Sequence, residues 1–201
     1  MNVPWQDQLD EVLDRANTLR ISGDPTGAAR VLDSAPDIVK AFGTWMYARG
    51  SLAFQAGDLA RAAKELEAAV VREPAVPEFR ANLGAVLLEK GKQGDHFALR
   101  RARQLLEEAC KDEPKLPHSH TNLGAARLAA NELEGALACF DRALALDPNH
   151  VPSLYNRGAA LKKLGKLEES LAAIDKLLKL EPAFAPGLAA RASLQEQLKA
   201  Q

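Results

Sequence analysis

The sequence predicts an all-α chain, a row of helical hairpins joined end to end. Three observations lead there. First, Pro117 to His150 reads as two helical runs separated by Asn131 and closed by Asp147-Pro148-Asn149, a helix–turn–helix–turn unit of 34 residues. Proline cannot continue a helix and restricts the residue before it, so the unit ends there. Second, a small residue returns at one place of the unit: Ala16, Gly50, Gly84, Gly124, Gly158 and Ala192, at steps of 34 residues with a single step of 40. Third, a further series keeps the same register. Ala28, Ala62, Ala102, Ala136 and Ser170 are followed four places on by Leu32, Leu66, Leu106, Phe140 and Ile174, then three further by Ala35, Ala69, Ala109, Ala143 and Leu177. Pro74, Pro114, Pro148 and Pro182 close four of the units, and Lys40 stands at that place in the first.

These residues and their period resemble the tetratricopeptide repeat (TPR), a helix–turn–helix of about 34 residues. The resemblance covers nearly the whole chain. It implies a right-handed α-solenoid of helix–turn–helix TPR units, in which the small eighth place of helix A meets the neighbouring helix B and helix A lines a concave groove.

In chain order, the first helix is expected from Pro4 to Ile21, with Val12, Leu13, Ala16 and Leu19 as its apolar stripe. Pro4 suits a first turn, where a missing N–H costs little. Ser22-Gly23-Asp24-Pro25 ends it and opens a short helix to about Ser34, stopped by Ala35-Pro36-Asp37. Asp37 is expected to cap the next helix, which starts early, near Ile38, and carries Phe42, Trp45, Met46 and Phe54 to about Ala56. Gly57-Asp58 turns the chain into a helix over 59–72. The third unit departs from the pattern: a helix over 77–90 is followed by six inserted residues, since Gly84 and Ala102 are 18 apart whereas Gly124 and Ala136 are 12 apart. Asp95 is the candidate cap, and the extra residues are expected to lengthen helix B by a turn or more. The fifth unit turns at Gly165, and the tail repeats one helix A with Gln195, Glu196 and Lys199 on a polar outer face, as a terminal helix requires. The expected organisation is one domain over 1–201: repeats at 9–42, 43–76, 77–116, 117–150 and 151–184, then a capping helix at 185–201.

Apolar content of 47% suffices for a packed protein, and aromatic content of 5% suits thin helix contacts built from Ala and Leu. A formal net charge of −1 gives no basic face for nucleic acid. Cys110 and Cys139 read as buried thiols of a reducing compartment. The first 20 residues lack the basic start and apolar core of a secretory signal. No run approaches the roughly 18 apolar residues of a membrane span. A cytoplasmic protein without membrane insertion is expected. Charge is uneven along the chain, −3 over residues 1–42 and +3 over 151–201. Such a gradient suits steering of a partner or head-to-tail self-association, and also an ordinary mixed surface.

The resemblance places Asn82, Asn122 and Asn156 in the groove, at the sixth place of three consecutive repeats, with Asp14 and Ala48 at that place in the first two. A side-chain amide offers both donor and acceptor, so it can pair with a peptide backbone without reading sequence. The row is similar to the asparagine ladder in the repeats of O-linked N-acetylglucosamine transferase, although asparagine here can also bond to its own scaffold. Ala81, Ala85, Thr121, Ala125 and Ala159 leave room beside it. Tyr47, Phe54, Leu88, Leu128 and Tyr155 flank it as apolar anchors or inter-repeat contacts, and Asn17 is expected to face the groove. The carboxylate clamp of chaperone-binding relatives needs lysine and arginine at set places. Leu13, Asn17, Ala48, Glu78 and Asn82 stand there, or Tyr47, Ser51, Asn82, His118 and Asn122 in a shifted frame. Neither set supplies the cations.

His118 and His120 are two apart, so on a helix they point in nearly opposite directions and cannot chelate together. No nucleophile elbow, phosphate loop, metal-protease helix or dinucleotide fingerprint appears. Neither a cofactor nor a metal is expected. His96 and Phe97, in the inserted turn, are candidates for an edge contact, unless Phe97 folds down over helix B. The function expected is that of a non-enzymatic adaptor holding an extended peptide or helix of a partner protein in the groove. The alternatives are a self-assembling or complex-assembly scaffold, or a co-chaperone for secretion or pilus components.

Overall fold

The computed structural model describes residues 4–200. Among them the chain forms twelve helices and no strand. Five hairpins follow one another: α1 (Pro4–Ile21) with α2 (Pro25–Asp33), α4 (Gly43–Gln55) with α5 (Leu59–Arg72), α6 (Pro77–Lys92) with α7 (His96–Asp112), α8 (Pro117–Ala129) with α9 (Leu133–Leu146), and α10 (Val151–Lys163) with α11 (Leu167–Leu180). A four-residue helix, α3 (Asp37–Lys40), separates the first two hairpins, and α12 (Ala185–Lys199) follows the last. From α5 onward, each second helix packs on the next first helix, and the first helices α4, α6, α8 and α10 also touch in series. The result is an all-α solenoid.

The small residue of each first helix fixes the hairpin. A Cβ on Gly50 would lie 2.7 Å from Leu66 Cγ, one on Gly84 2.6 Å from Leu106 Cγ, one on Gly124 2.5 Å from Phe140 Cε1, and one on Gly158 2.8 Å from Ile174 Cδ1. The two sequence series are thus the two sides of one contact, and Leu66, Leu106, Phe140 and Ile174 are all fully buried by it. Where Ser170 replaces alanine, its hydroxyl donates to Gly158 O at 2.7 Å, so the buried oxygen is satisfied. Ala192, at the same place on α12, is exposed.

Turns within the hairpins share one device. Gly23, Gly57, Gly94 and Gly165 have φ between 76° and 102°, and Asn131 takes the same left-handed place with φ 62°. Glycine and, less readily, asparagine tolerate that conformation. In three hairpins the next residue then caps the second helix: Asp24 Oδ1 accepts from Gly27 N, Asp58 Oδ1 from Arg61 N, and Asp95 Oδ1 from Ala98 N, at 2.7–2.9 Å.

The structure departs from the sequence expectations in two places. The second unit does not begin with one early helix: α3 ends at Lys40 and Phe42 is extended before α4 starts at Gly43. Asp37 is not the cap but the first residue of α3, preceded by Pro36. The cause is a distant residue. Glu73, thirty positions on, accepts from Gly43 N at 2.8 Å and lies where a Gly43 side chain would be. The insertion is also shared between both helices rather than given to α7 alone. Helix α6 has 16 residues where α4, α8 and α10 have 13, and α7 has 17 where α5, α9 and α11 have 14. Three residues add about 4.5 Å to each helix. Buried Gly91 joins the two extensions, because a Cβ there would lie 2.8 Å from Leu99 Cβ.

The hairpin contact gives a direct test. Gly124→Ala forces a methyl group into the Phe140 ring, and overpacking of this kind costs about 1–3 kcal/mol. Urea unfolding should show stability falling by that amount, as a lower midpoint with an unchanged slope. An unaltered midpoint would mean the helices separate freely at this place.

Candidate binding groove

First helices of the opening three hairpins enclose a cavity of about 670 Å³. Its walls include Leu13, Asp14, Asn17 and Arg20 from α1, Thr44, Tyr47, Ala48, Ser51 and Phe54 from α4, and Glu78 and Asn82 from α6. Asp14, Ala48 and Asn82, the sixth-place residues of the first three repeats, all line it. An alanine at that place leaves a gap that an asparagine would occupy.

Hydrogen bonds across the cavity run in one direction. Asn82 Nδ2 donates to Glu78 O at 3.0 Å and to Tyr47 Oη at 3.3 Å, and the Tyr47 phenol donates to Glu78 Oε1 at 2.9 Å. Tyr47 also stacks on Phe79, with ring centroids 4.9 Å apart. Burial, then the Glu78 charge and hydrogen bond, push the Tyr47 phenol up to about 12. Both effects disfavour a phenolate, so the side chain stays a donor. On the facing helix, Arg20 turns onto Asn17 Oδ1 through Nε at 3.2 Å and Nη2 at 2.7 Å. Thr44 Oγ1 is buried without a hydrogen-bond partner among the described residues.

The remaining sixth-place amides behave differently from Asn82. Asn122 and Asn156 are half-buried on α8 and α10 beside half-buried Ala125 and Ala159. Neither makes a side-chain hydrogen bond within the described residues, whereas Asn82 is held by its own helix and by Tyr47. Phe54 and Leu128 are half-buried, and Tyr155 meets Phe184 edge-on at 5.5 Å. Leu88 is only 2% exposed and belongs to the central core, so it has little surface to offer a ligand. Asn17 is exposed at the cavity wall. His96 and Phe97 are not in a turn but open α7, where His96 is exposed and Phe97 is 72% exposed, so Phe97 does not fold down over its own helix.

The histidines separate as their spacing requires. Burial lowers the pKa of His118, which also stands close enough to Glu78 and His150 to feel both charges. His120 is buried with Nε2 2.8 Å from Pro114 O. Arg80, at the same place one repeat earlier, bonds Pro74 O and Asp112. These contacts satisfy carbonyls of the prolines that close the preceding units. Sequence reading missed a buried cluster between α8 and α10: Ser153 Oγ lies 2.6 Å from Thr121 Oγ1 and 2.8 Å from His150 Nδ1. Ser153 is 0% exposed, so this Ser–His pair is closed to a substrate and acts as a local tie at the start of α10. Cys110 and Cys139 are free thiols, and burial pushes Cys110 up to about 12 and raises Cys139, which keeps both protonated. Among the described residues no group of three or more His, Cys, Asp or Glu gathers where a metal ion could be held, and no helix is long and apolar enough to cross a membrane.

The sequence matches three family profiles: tetratricopeptide repeat over residues 47–95, TPR repeat over 126–165, and tetratricopeptide repeat over 151–184. The chain is a tetratricopeptide repeat protein. No curated protein matches it in sequence. Solved TPR structures do match it in fold. TTC0263, a thermophilic TPR protein of Thermus thermophilus, aligns with TM-score 0.78 and 19% identity over 93% of this chain and 98% of its own. MamA from Desulfovibrio magneticus RS-1 aligns with TM-score 0.70 and 20% identity over 89% and 98%. YrrB, described as a TPR protein with an unusual peptide-binding site, gives TM-score 0.66 and 20% identity over 90% of each chain. At these identities the likeness is one of fold, and it agrees with the TPR hairpins seen here.

The Tyr47 environment makes a pH prediction. In a Tyr155→Phe chain Tyr47 is the only tyrosine, and its tyrosinate absorbance should rise near pH 12 rather than near the ordinary value of about 10. Because the folded pKa lies above the unfolded one, this residue's contribution to stability is complete below about pH 10 and is lost as pH rises toward 12. Glu78→Gln should lower the transition. A titration near 10 in the folded chain would show that the phenol is neither buried nor held by Glu78.

Proposed function

We propose that the protein is a non-enzymatic adaptor that holds an extended peptide or a helix of a partner protein along the face of its first helices. The observation that carries this reading is the pair of half-buried amides, Asn122 and Asn156, which make no hydrogen bond of their own within the described residues. A buried or half-buried amide that is unpaired in the free protein gains most from a ligand backbone that supplies both partners. Ala125 and Ala159 leave the backbone room to approach, and the half-buried rings of Tyr155 and Phe54 and the Leu128 side chain supply apolar contact at either end. Asn82 serves mainly to orient Tyr47 and Glu78. The TPR family membership supports protein partners in general, and YrrB's described peptide-binding site supports a peptide. In this reading the five repeats and terminal helix of 1–201 act as one domain in the cytoplasm, without nucleic acid, cofactor or membrane insertion.

A second reading, assembly with further copies or within a larger complex, is supported by Phe97, whose exposed ring stands on the one lengthened hairpin. Light scattering across concentration separates the two, since a monomer at every concentration excludes self-assembly.

The adaptor reading is tested by capture from a native lysate, read by mass spectrometry, with wild type beside Asn122→Ala/Asn156→Ala. Each lost hydrogen bond costs about 0.5–1.5 kcal/mol, so the pair should weaken a groove-bound partner about 5- to 150-fold. A partner retained equally by both chains would remove these amides from the site.

A further inference from the structure

The cavity between α1, α4 and α6 has a hydrogen-bonding bias. The Asn82 amide faces Glu78 O, which can only accept, so its Nδ2 is committed there and its Oδ1 is left over. The Tyr47 proton is committed to Glu78 Oε1, which leaves the second carboxylate oxygen over as well. Asp14 makes no side-chain hydrogen bond or ion pair within the described residues. Arg20, the cation among the lining residues, is turned onto Asn17. Among the lining residues two carboxylates, Asp14 and Glu78, stand against the single guanidinium of Arg20, a net negative charge, and the buried Thr44 and Ser51 hydroxyls add polar groups without a hydrogen-bond partner among the described residues. Apolar surface from Leu13, Leu52 and Phe54 lies alongside these acceptors. A long aliphatic stem with a charged head matches that combination, since such side chains bury the stem against apolar surface and pair the head. The volume of about 670 Å³ is within the usual range for ligand pockets, roughly 300–1,000 Å³.

We propose that this cavity takes an arginine or lysine side chain of the segment bound in the groove, with the Glu78 carboxylate and Asn82 Oδ1 as its acceptors and Asp14 as a second counter-charge. This rests on the groove reading above and adds a specificity to it. Asn122 and Asn156 hold the backbone without regard to sequence, while the cavity selects a basic residue at one end. An acidic residue there meets two carboxylates against the single guanidinium of Arg20, which is already turned onto Asn17.

Two short fluorescein-labelled peptides of alanine and leucine, identical except for one central arginine or glutamate, are titrated with the full chain and read by fluorescence polarisation. The arginine peptide should bind about tenfold tighter or more, a difference of about 1.4 kcal/mol per factor of ten. Glu78→Gln/Asp14→Asn, which keeps side-chain size, should bring the two peptides to parity while the circular dichroism spectrum stays that of wild type. Ala48→Asn, which fills the gap in the row, should weaken the arginine peptide without changing charge. The proposal is overturned if the glutamate peptide binds as well, if the preference survives the charge-removing pair, or if the arginine peptide fails to saturate by about 1 mM. Lysate capture with Glu78→Gln/Asp14→Asn separates this site from the groove itself. A partner kept by that chain but lost by Asn122→Ala/Asn156→Ala removes the cationic subsite and leaves the groove; a partner kept by both removes the two together.

Discussion

Everything in this molecule depends on the contact between a side chain too small to intrude and a large apolar residue of the following helix. Gly50 with Leu66, Gly84 with Leu106, Gly124 with Phe140 and Gly158 with Ile174 bring the last four hairpins to the same close spacing. Because that spacing repeats, the first helices of successive hairpins also come into contact and form a continuous face. Residues at one place of the repeat then lie in a row. A chain of this kind has no core that a single repeat could build alone, so its stability is shared between neighbours.

The same regularity shows why its exceptions matter. Three of the sixth-place residues are asparagine, and the two that are not, Asp14 and Ala48, stand beside the cavity. Ala48 lines the space with a small side chain, and Tyr47, Glu78 and Asn82 are joined beside it in a one-way chain of hydrogen bonds that ends on a carboxylate. Further along, Asn122 and Asn156 keep the regular place and make no side-chain hydrogen bond among the described residues. One face therefore carries two kinds of polar group: amides without a partner there, and a network whose remaining capacity is for donors. The lengthened hairpin α6–α7 is a separate exception. It leaves the hairpin contact intact at Gly84 and Leu106 and extends beyond it, with Gly91 against Leu99 holding the added turn together.

Most of the fold was legible in the sequence because its determinants are local. The period, the small and large series, and the caps Asp24, Asp58 and Asp95 can all be recognised from residues a few places apart. The misread parts depend on contacts that spacing alone does not show. Glu73 reaches back to Gly43 at the start of α4, and the helix that begins at Asp37 stops at Lys40 instead of running on into α4. The helix expected over 77–90 runs on to Lys92, with Gly91 packed closely against Leu99 of the next helix. The site follows the same division. The asparagine row could be read from the register; that Asn82 is held by Tyr47 could not, since the two are 35 residues apart. Leu88 occupies a groove place by register yet sits in the core, in the cluster that includes Ala98 and Leu105 of the lengthened α7. The Thr121–His150–Ser153 cluster gave no sequence signal, since hydroxyls at repeat positions look like ordinary small residues.

The central claim is that ligands meet the face of the first helices. Two-dimensional NMR of the labelled chain, titrated with the segment of a captured partner, tests it most directly. The account predicts that the side-chain amide signals of Asn122 and Asn156 and the backbone signals of α4, α6, α8 and α10 shift together, while those on the outer faces of α5, α7, α9 and α11 stay in place. Shifts confined to the second helices or to residues 93–97 between α6 and the start of α7, with both side-chain amides unmoved, would contradict it.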